Sequence, residues 1–162
     1  MMLTLIAAAL ALAEPWDAPM TMHGIGTLRI GTPVAELRRM GATVEAYPDE
    51  EVDCSYWRAP QWPGLATMVS GGRVVRIETE DPRYRTASGA RVGMTEAEIR
   101  ALYGRAMRVE PHPYTGPEGH YLIYRARGEA YGMIIETHYE TSRAGSIRVG
   151  RWRSVQLIEG CS

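Results

Sequence analysis

Two stretches decide the fold: Leu28-Arg29-Ile30-Gly31-Thr32-Pro33-Val34-Ala35-Glu36-Leu37-Arg38-Arg39-Met40-Gly41 and Ala90-Arg91-Val92-Gly93-Met94-Thr95-Glu96-Ala97-Glu98-Ile99-Arg100-Ala101-Leu102-Tyr103-Gly104. With Gly31 laid over Gly93, the residues match in kind at Arg29/Arg91, Ile30/Val92, Ala35/Ala97, Glu36/Glu98, Leu37/Ile99, Arg38/Arg100 and Met40/Leu102. The match reads as an internal duplication. Each copy reads as an extended lead-in, a glycine and a short helix. In the second, Thr95 caps the helix and Glu98, three residues on, completes a capping box. In the first, Thr32 is the expected cap, with Pro33 at the first helical position. Ile99, Leu102 and Tyr103 share one helical face, as do Val34 and Leu37. Gly41 and Gly104 suit left-handed C-terminal caps. Helices this short are not stable alone and need a sheet to pack on.

The sheet is legible downstream of each helix. Cys54–Arg58 and Leu65–Ser70 read as strands, Gly71-Gly72 as a tight hairpin turn, and Arg73–Glu80 as a strand with Val75, Ile77 and Thr79 on one face. The second copy follows suit: Tyr121–Ala126, Tyr131–Tyr139, a turn at Ala144-Gly145, Ser146–Val149, and a last strand Val155–Glu159. The pattern predicts an α+β fold of two tandem units, each a short helix packed on an antiparallel meander. The units span 24–85 and 86–162. Residues 14–23 read as a flexible lead, and 110–119, with three prolines and two glycines, as a long exposed loop.

Leu3 to Ala13 is an uncharged apolar run, too short to span a bilayer, which needs about 20 residues. With Ala11 and Ala13 at the positions a signal peptidase reads, residues 1–13 predict a cleaved export signal and a periplasmic or secreted protein with no membrane anchor. The net charge of −1 argues against a nucleic-acid partner. Every one of the 18 basic residues is arginine, which fits a GC-rich codon bias. In an oxidising compartment the isolated pair Cys54 and Cys161, 107 residues apart, is expected to form a disulfide. Two free thiols, one of them catalytic, are the alternative.

The element Val92-Gly93-Met94-Thr95-x-x-Glu98-Ile99-x-x-Leu102-Tyr103-Gly104 resembles the opening helix of the BamE (SmpA/OmlA) domain. The tandem layout resembles the beta-lactamase-inhibitory proteins, and the ending Glu159-Gly160-Cys161 resembles uncharacterised periplasmic proteins of proteobacteria. The resemblance implies a binding or scaffold role. The chain departs from it in lacking the lipid-accepting cysteine of BamE proteins. Its cysteine pair would also span both units, where the inhibitory proteins bridge within each.

The chemistry-bearing motifs are sparse. No Gly-x-Ser-x-Gly and no phosphate-cradling loop with lysine occurs, and Gly24-x-Gly26 reads as a turn. His112 and His120, with Glu110 and Glu118 nearby, offer a small-hydrolase alternative, although such histidines more often decorate an exposed loop. His138 follows Glu136 on an expected strand. Met20, Met22 and His23 offer soft ligands for copper(I), but no metal or other cofactor is expected. Aromatic and arginine residues that anchor interfaces remain. The candidate partner-binding residues are Trp57, Arg58, Trp62, His112, Tyr114 and Tyr121, with Trp62 expected on the surface and Trp57 fitting core or surface equally. The expected function is a non-catalytic binding or inhibitor-type module for another envelope or secreted protein. An envelope assembly factor is the alternative within that class. Non-reducing mass spectrometry of the exported protein should find residues 1–13 removed and two hydrogens lost to the disulfide; a full-length reduced mass would contradict both expectations.

Overall fold

Residues of alternating polarity line up into strands that hydrogen-bond into one eight-stranded sheet, antiparallel throughout. The structure, a computed structural model, describes residues 14–45, 53–125 and 128–161. The expected export signal, 1–13, lies outside them. A small three-stranded sheet comes first, of β1 (Met20–Thr21), β2 (Gly24–Ile25) and β3 (Leu28–Arg29). Helix α1 (Val34–Arg39) leads into β4 (Thr43–Val44), β5 (Cys54–Arg58), β6 (Leu65–Ser70) and β7 (Arg73–Thr79). Helix α2 (Glu96–Tyr103) leads into β8 (Met107–Pro111), β9 (His120–Tyr124), β10 (Tyr131–Thr137) and β11 (Ala144–Arg151), and α3 (Trp152–Val155) follows. The strand order is β4-β5-β6-β7-β11-β10-β9-β8, so β7 meets β11 at the centre. This is an α+β architecture dominated by antiparallel pairing.

One face of the sheet carries the main core. Leu37 of α1, Ile99 of α2 and Met20, Ile25 and Leu28 of the small sheet pack there with Leu65, Val74, Ile77, Leu122, Ile135 and Val149. The capping box forms as expected: Thr95 Oγ1 accepts from the Glu98 N–H at 3.3 Å, and Glu98 Oε2 accepts from the Thr95 N–H at 2.8 Å. In the first helix Pro33, not Thr32, holds the cap position. The Thr32 hydroxyl instead accepts from the Arg29 N–H and secures the turn before the helix.

The alternation expected on β7 breaks at one residue. Met68 faces Arg76 and Val69 faces Val74, which leaves Val75 as an extra residue, a β-bulge. Val74, Ile77 and Thr79 therefore point one way, while Val75 and Arg76 both turn to the second face. At the seam, Gly150 of β11 adopts φ +144°, and a Cβ there would lie 2.3 Å from the Val75 carbonyl oxygen. Only glycine allows the two central strands to approach so closely. The Gly71-Gly72 turn has both residues at positive φ, as a tight hairpin requires.

Four local expectations are corrected. Ala144 and Gly145 lie within β11, where Gly145 is bulged, and the hairpin turn falls at His138–Ser142, closed by Ser142 N–H to His138 O at 2.8 Å. The expected strand Val155–Glu159 is instead the end of α3 and a run of turns, because Ser154 and Leu157 give their carbonyls to Arg76 rather than to a ladder. The lead 14–23 is ordered: a 3-10 turn spans Pro15–Asp17, Met20 is buried in the core, and Trp16 sits edge-on to Tyr84 under the Arg83 guanidinium. The 110–119 stretch begins as strand and buries both His112 and Gly119.

The second face carries Tyr56, Ala66, Met68 and Val75 in one cluster and Tyr121, Ile123 and Ile134 in another. The tail covers both. Val155, Trp152 and Ile158 pack on the second cluster, and Cys161 joins the first through its disulfide to Cys54. That bond closes a loop with a separation of 107 residues. The Cys54→Ser/Cys161→Ser double variant should lose about 2–5 kcal/mol in urea unfolding. An unchanged midpoint would show that the tail holds without its covalent tie.

Candidate functional site

Tail and loops leave part of the second face open. A cleft of about 770 Å³ remains there, with Arg58, Arg76, Glu78, Glu136, Ser146 and Arg148 on its walls. Thr115 of the 112–119 loop and Ile158 of the tail also line it. The loop and the tail are tied together where the Tyr114 hydroxyl donates to Glu159 Oε1 at 2.8 Å, a bond that holds the Tyr114 phenol above its ordinary pKa.

Two arginines floor this face, and both are buried. Arg76, only 3% exposed, is engaged through both terminal nitrogens, while its Nε has no hydrogen-bond partner among the described residues. Its Nη1 donates to the carbonyls of Ser154 (3.1 Å) and Leu157 (2.6 Å), and its Nη2 to the Tyr56 hydroxyl (2.5 Å) and Glu78 Oε2 (2.5 Å). Its guanidinium lies 5.8 Å from the Tyr56 ring centre. Arg148, 4% exposed, lies 4.9 Å from the Tyr121 ring centre. Its Nη1 stands 3.6 Å from Glu136 Oε2, while Nε and Nη2 are buried without a hydrogen-bond partner among the described residues. Burial raises the pKa of the Tyr121 phenol, with the Arg148 guanidinium pulling the other way.

Glu136 is held from its other side by His112, whose Nε2 stands 3.2 Å from Oε1. The His112 Nδ1 accepts the backbone N–H groups of Tyr114 (3.1 Å) and Thr115 (3.2 Å). With Nδ1 serving as acceptor, the ring proton belongs on Nε2, which lies near Glu136 without a hydrogen bond to a described residue. The lone pair a general base needs is thus already occupied. His120 reaches elsewhere, its Nδ1 2.7 Å from Glu96 Oε2 at the start of α2. The two histidines expected to share a hydrolytic centre therefore have separate partners. His23 packs edge-on against Tyr131, and Met20 is buried, so the soft-ligand motif is taken up by packing.

The six candidate binding residues divide between the two faces. Arg58 lines the cleft and pairs with Glu45. His112 and Tyr121 are buried beside it, their rings 4.7 Å apart, and Tyr114 is 66% exposed at its margin. His112 was expected to decorate an exposed loop; its acceptor role draws it inside. Trp57 and Trp62 belong to the helix-side core. Trp57 donates its Nε1–H to Ser55 Oγ at 2.9 Å beneath the Arg38 guanidinium. Trp62, expected on the surface, is 8% exposed, because its turn folds the ring into the cluster of Leu65 and Tyr84. The charged floor itself was missed. Its signal was an arginine inside each central apolar run, Val75-Arg76-Ile77 and Ile147-Arg148-Val149.

No family model matches this chain, and no curated protein matches it. Among solved structures it is similar to the uncharacterized protein yfeY from Escherichia coli, with 13% identity and a TM-score of 0.49 over 82% of this chain and 99% of that one. It is also similar to an extracellular protein containing a SCP domain from Bacillus anthracis str. Ames, with 10% identity and a TM-score of 0.49. That match covers 94% of this chain and 54% of the other, so the chain spans about half the length of the Bacillus protein.

Arg76→Met removes the donors on which two tail carbonyls and Glu78 depend, and should cost about 3–5 kcal/mol in urea unfolding. Arg83→Met, on an exposed pair with Asp81, should shift the urea midpoint far less. Equal losses from the two would place Arg76 among ordinary surface arginines.

Proposed function

We propose that the chain is an exported, non-catalytic binding protein that takes a segment of another envelope or secreted protein into the cleft on the second face. The observation that carries this reading is that the same face already holds a peptide: the tail, gripped through its carbonyls by Arg76. The cleft adjoins that tail at Ile158 and continues past it. A surface that binds one stretch of backbone offers the chemistry to bind another.

Several features support the reading. The disulfide suits an oxidising compartment. Among the described residues, no helix is long and apolar enough to cross a membrane. Within the proposal, 24–85 and 86–162 are two tandem units, each a helix followed by four strands and joined at β7 and β11, as the BamE-like and inhibitor-like resemblance implies. The occupied lone pair of His112 and the separate position of His120 weigh against the hydrolase alternative.

The surface invoked differs from the pair of aromatic loops that the sequence suggested. Trp62 is core and drops out. Tyr114 and Tyr139, exposed at 66% and 50%, remain as aromatic margins, and Tyr139 lines the cleft. The immobilised protein should capture from a periplasmic extract a partner that Tyr139→Ala recovers at least fivefold less well. An identical set of captured proteins from both, or none above bare resin, would overturn the reading.

A further inference from the structure

The two buried arginines have similar settings and different partners. Each stands on a central strand, each lies over a tyrosine ring, and each is at least nine-tenths buried. Arg76 has both terminal nitrogens met by the tail, the Tyr56 hydroxyl and Glu78, which leaves Nε alone without a partner among the described residues. Arg148 is met more thinly: Glu136 stands 3.6 Å away on the Nη1 side and the Tyr121 phenol lies close by, but neither Nε nor Nη2 has a hydrogen bond of good geometry among the described residues. The two nitrogens left over, Nε and Nη2, form one edge of the guanidinium plane and present two parallel N–H groups. That edge matches the two oxygens of a carboxylate.

We infer that Arg148 is the carboxylate-binding residue of the cleft, receiving a terminal or side-chain carboxylate of a peptide segment on its Nε/Nη2 edge. This deepens the binding reading above and rests on it. Two observations narrow the ligand. Arg76 shows what such a position holds when filled, namely oxygen acceptors of a polypeptide. Glu78, Glu80, Asp81 and Glu136 line the same cleft. A singly charged carboxylate meets less repulsion from them than a doubly charged phosphate does. Asp81 and Glu78 are partly neutralised by Arg83 and Arg76, and Glu136 by Arg148, so one further negative charge is tolerated beside Arg148. Both unpartnered nitrogens are covered, so a ligand has to displace that cover. Two charge-assisted hydrogen bonds to a donor pair already stripped of water offset the displacement.

The test follows the Arg148 Nε–H resonance of the intact, oxidised protein by NMR. The probes are four: an equimolar mixture of N-acetylated tripeptides without acidic residues and with free C-termini; the same mixture amidated; an amidated mixture carrying one Asp in each peptide; and inorganic phosphate. The free-carboxylate mixture, the Asp mixture or both should shift the resonance, and the arm that does so names the source of the carboxylate. The neutral amidated mixture and phosphate should not. Arg148→Lys, which keeps the charge and loses the edge, should weaken that binding at least tenfold. Arg148→Met should leave the urea midpoint unchanged or raised, whereas Arg76→Met lowers it.

Equal binding of amidated and carboxylate mixtures, or an equal shift by phosphate, overturns the carboxylate assignment while the cleft still stands as a binding site. A loss of stability in Arg148→Met as large as that in Arg76→Met makes Arg148 structural and also overturns it. Silence from all four probes overturns it too, and leaves the binding reading to be decided by the Tyr139→Ala capture experiment.

Discussion

The grip of Arg76 on the tail is the interaction on which the second face depends. Helices and a small sheet cover one side of the eight-stranded sheet, but Met68, Val75, Ile123 and Ile134 point to the other. A chain this size cannot leave that much apolar surface open without inviting association. The tail has few residues with which to cover it. Val155 and Ile158 supply apolar contact, the disulfide fixes the end, and Arg76 donates to the carbonyls of Leu157 and of Ser154, the latter also accepting the Leu157 N–H. Remove the guanidinium and the tail loses the side-chain donors that tie its backbone to the sheet.

The bulge at Val75 makes this arrangement available. A regular strand would alternate Val75 away from Arg76. With Val75 as the extra residue, an apolar and a charged side chain stand together on the second face, one for the disulfide cluster and one for the tail. Gly150 is the matching concession on β11, because any side chain there would collide with the Val75 carbonyl. Bulge, glycine and arginine thus form one device at the centre of the sheet.

Local signals were readable in the sequence, and nonlocal ones were not. The capping box of α2, the Gly71-Gly72 hairpin, most strand positions and the Cys54–Cys161 bond each depend on residue types at short spacing or on a simple count. The bulge was not readable, because it is set by the register of β6 and nothing within Val74–Ile77 announces it. The tail was misread for a related reason. Val155–Glu159 has the composition of a strand, but the tail crosses the second face, where Arg76, 78 residues away from Ser154, takes the carbonyls of Ser154 and Leu157. Trp62 sits between Gln61 and Pro63 in a turn, where local polarity suggests exposure; its burial comes from joining the main core, whose members are distant in sequence. His112 looked like a loop histidine because its two backbone donors, Tyr114 and Thr115, become partners only once the turn has folded. Of the candidate site, then, Arg58, Tyr114, His112 and Tyr121 were legible as residues and Arg76 and Arg148 were not, since an arginine in a strand pattern ordinarily reads as solvent-facing.

Arg148 is the part of the structure that stability does not explain. A buried ion pair seldom outweighs an apolar replacement of the same volume, even when it is well made. Here the pairing is thin: Glu136 at 3.6 Å and the neighbouring Tyr121 phenol face a group with five N–H donors. A core built only to fold would fill that position with Met or Leu, which would pack on Ile134 and the Tyr121 ring without desolvating a charge. Arg76 has a structural reason to be charged, because four acceptors converge on it. Arg148 has the same cost of burial and little of the return. Residues of that kind are kept where function needs a preorganised group, and the stability lost there is the usual mark of such a site.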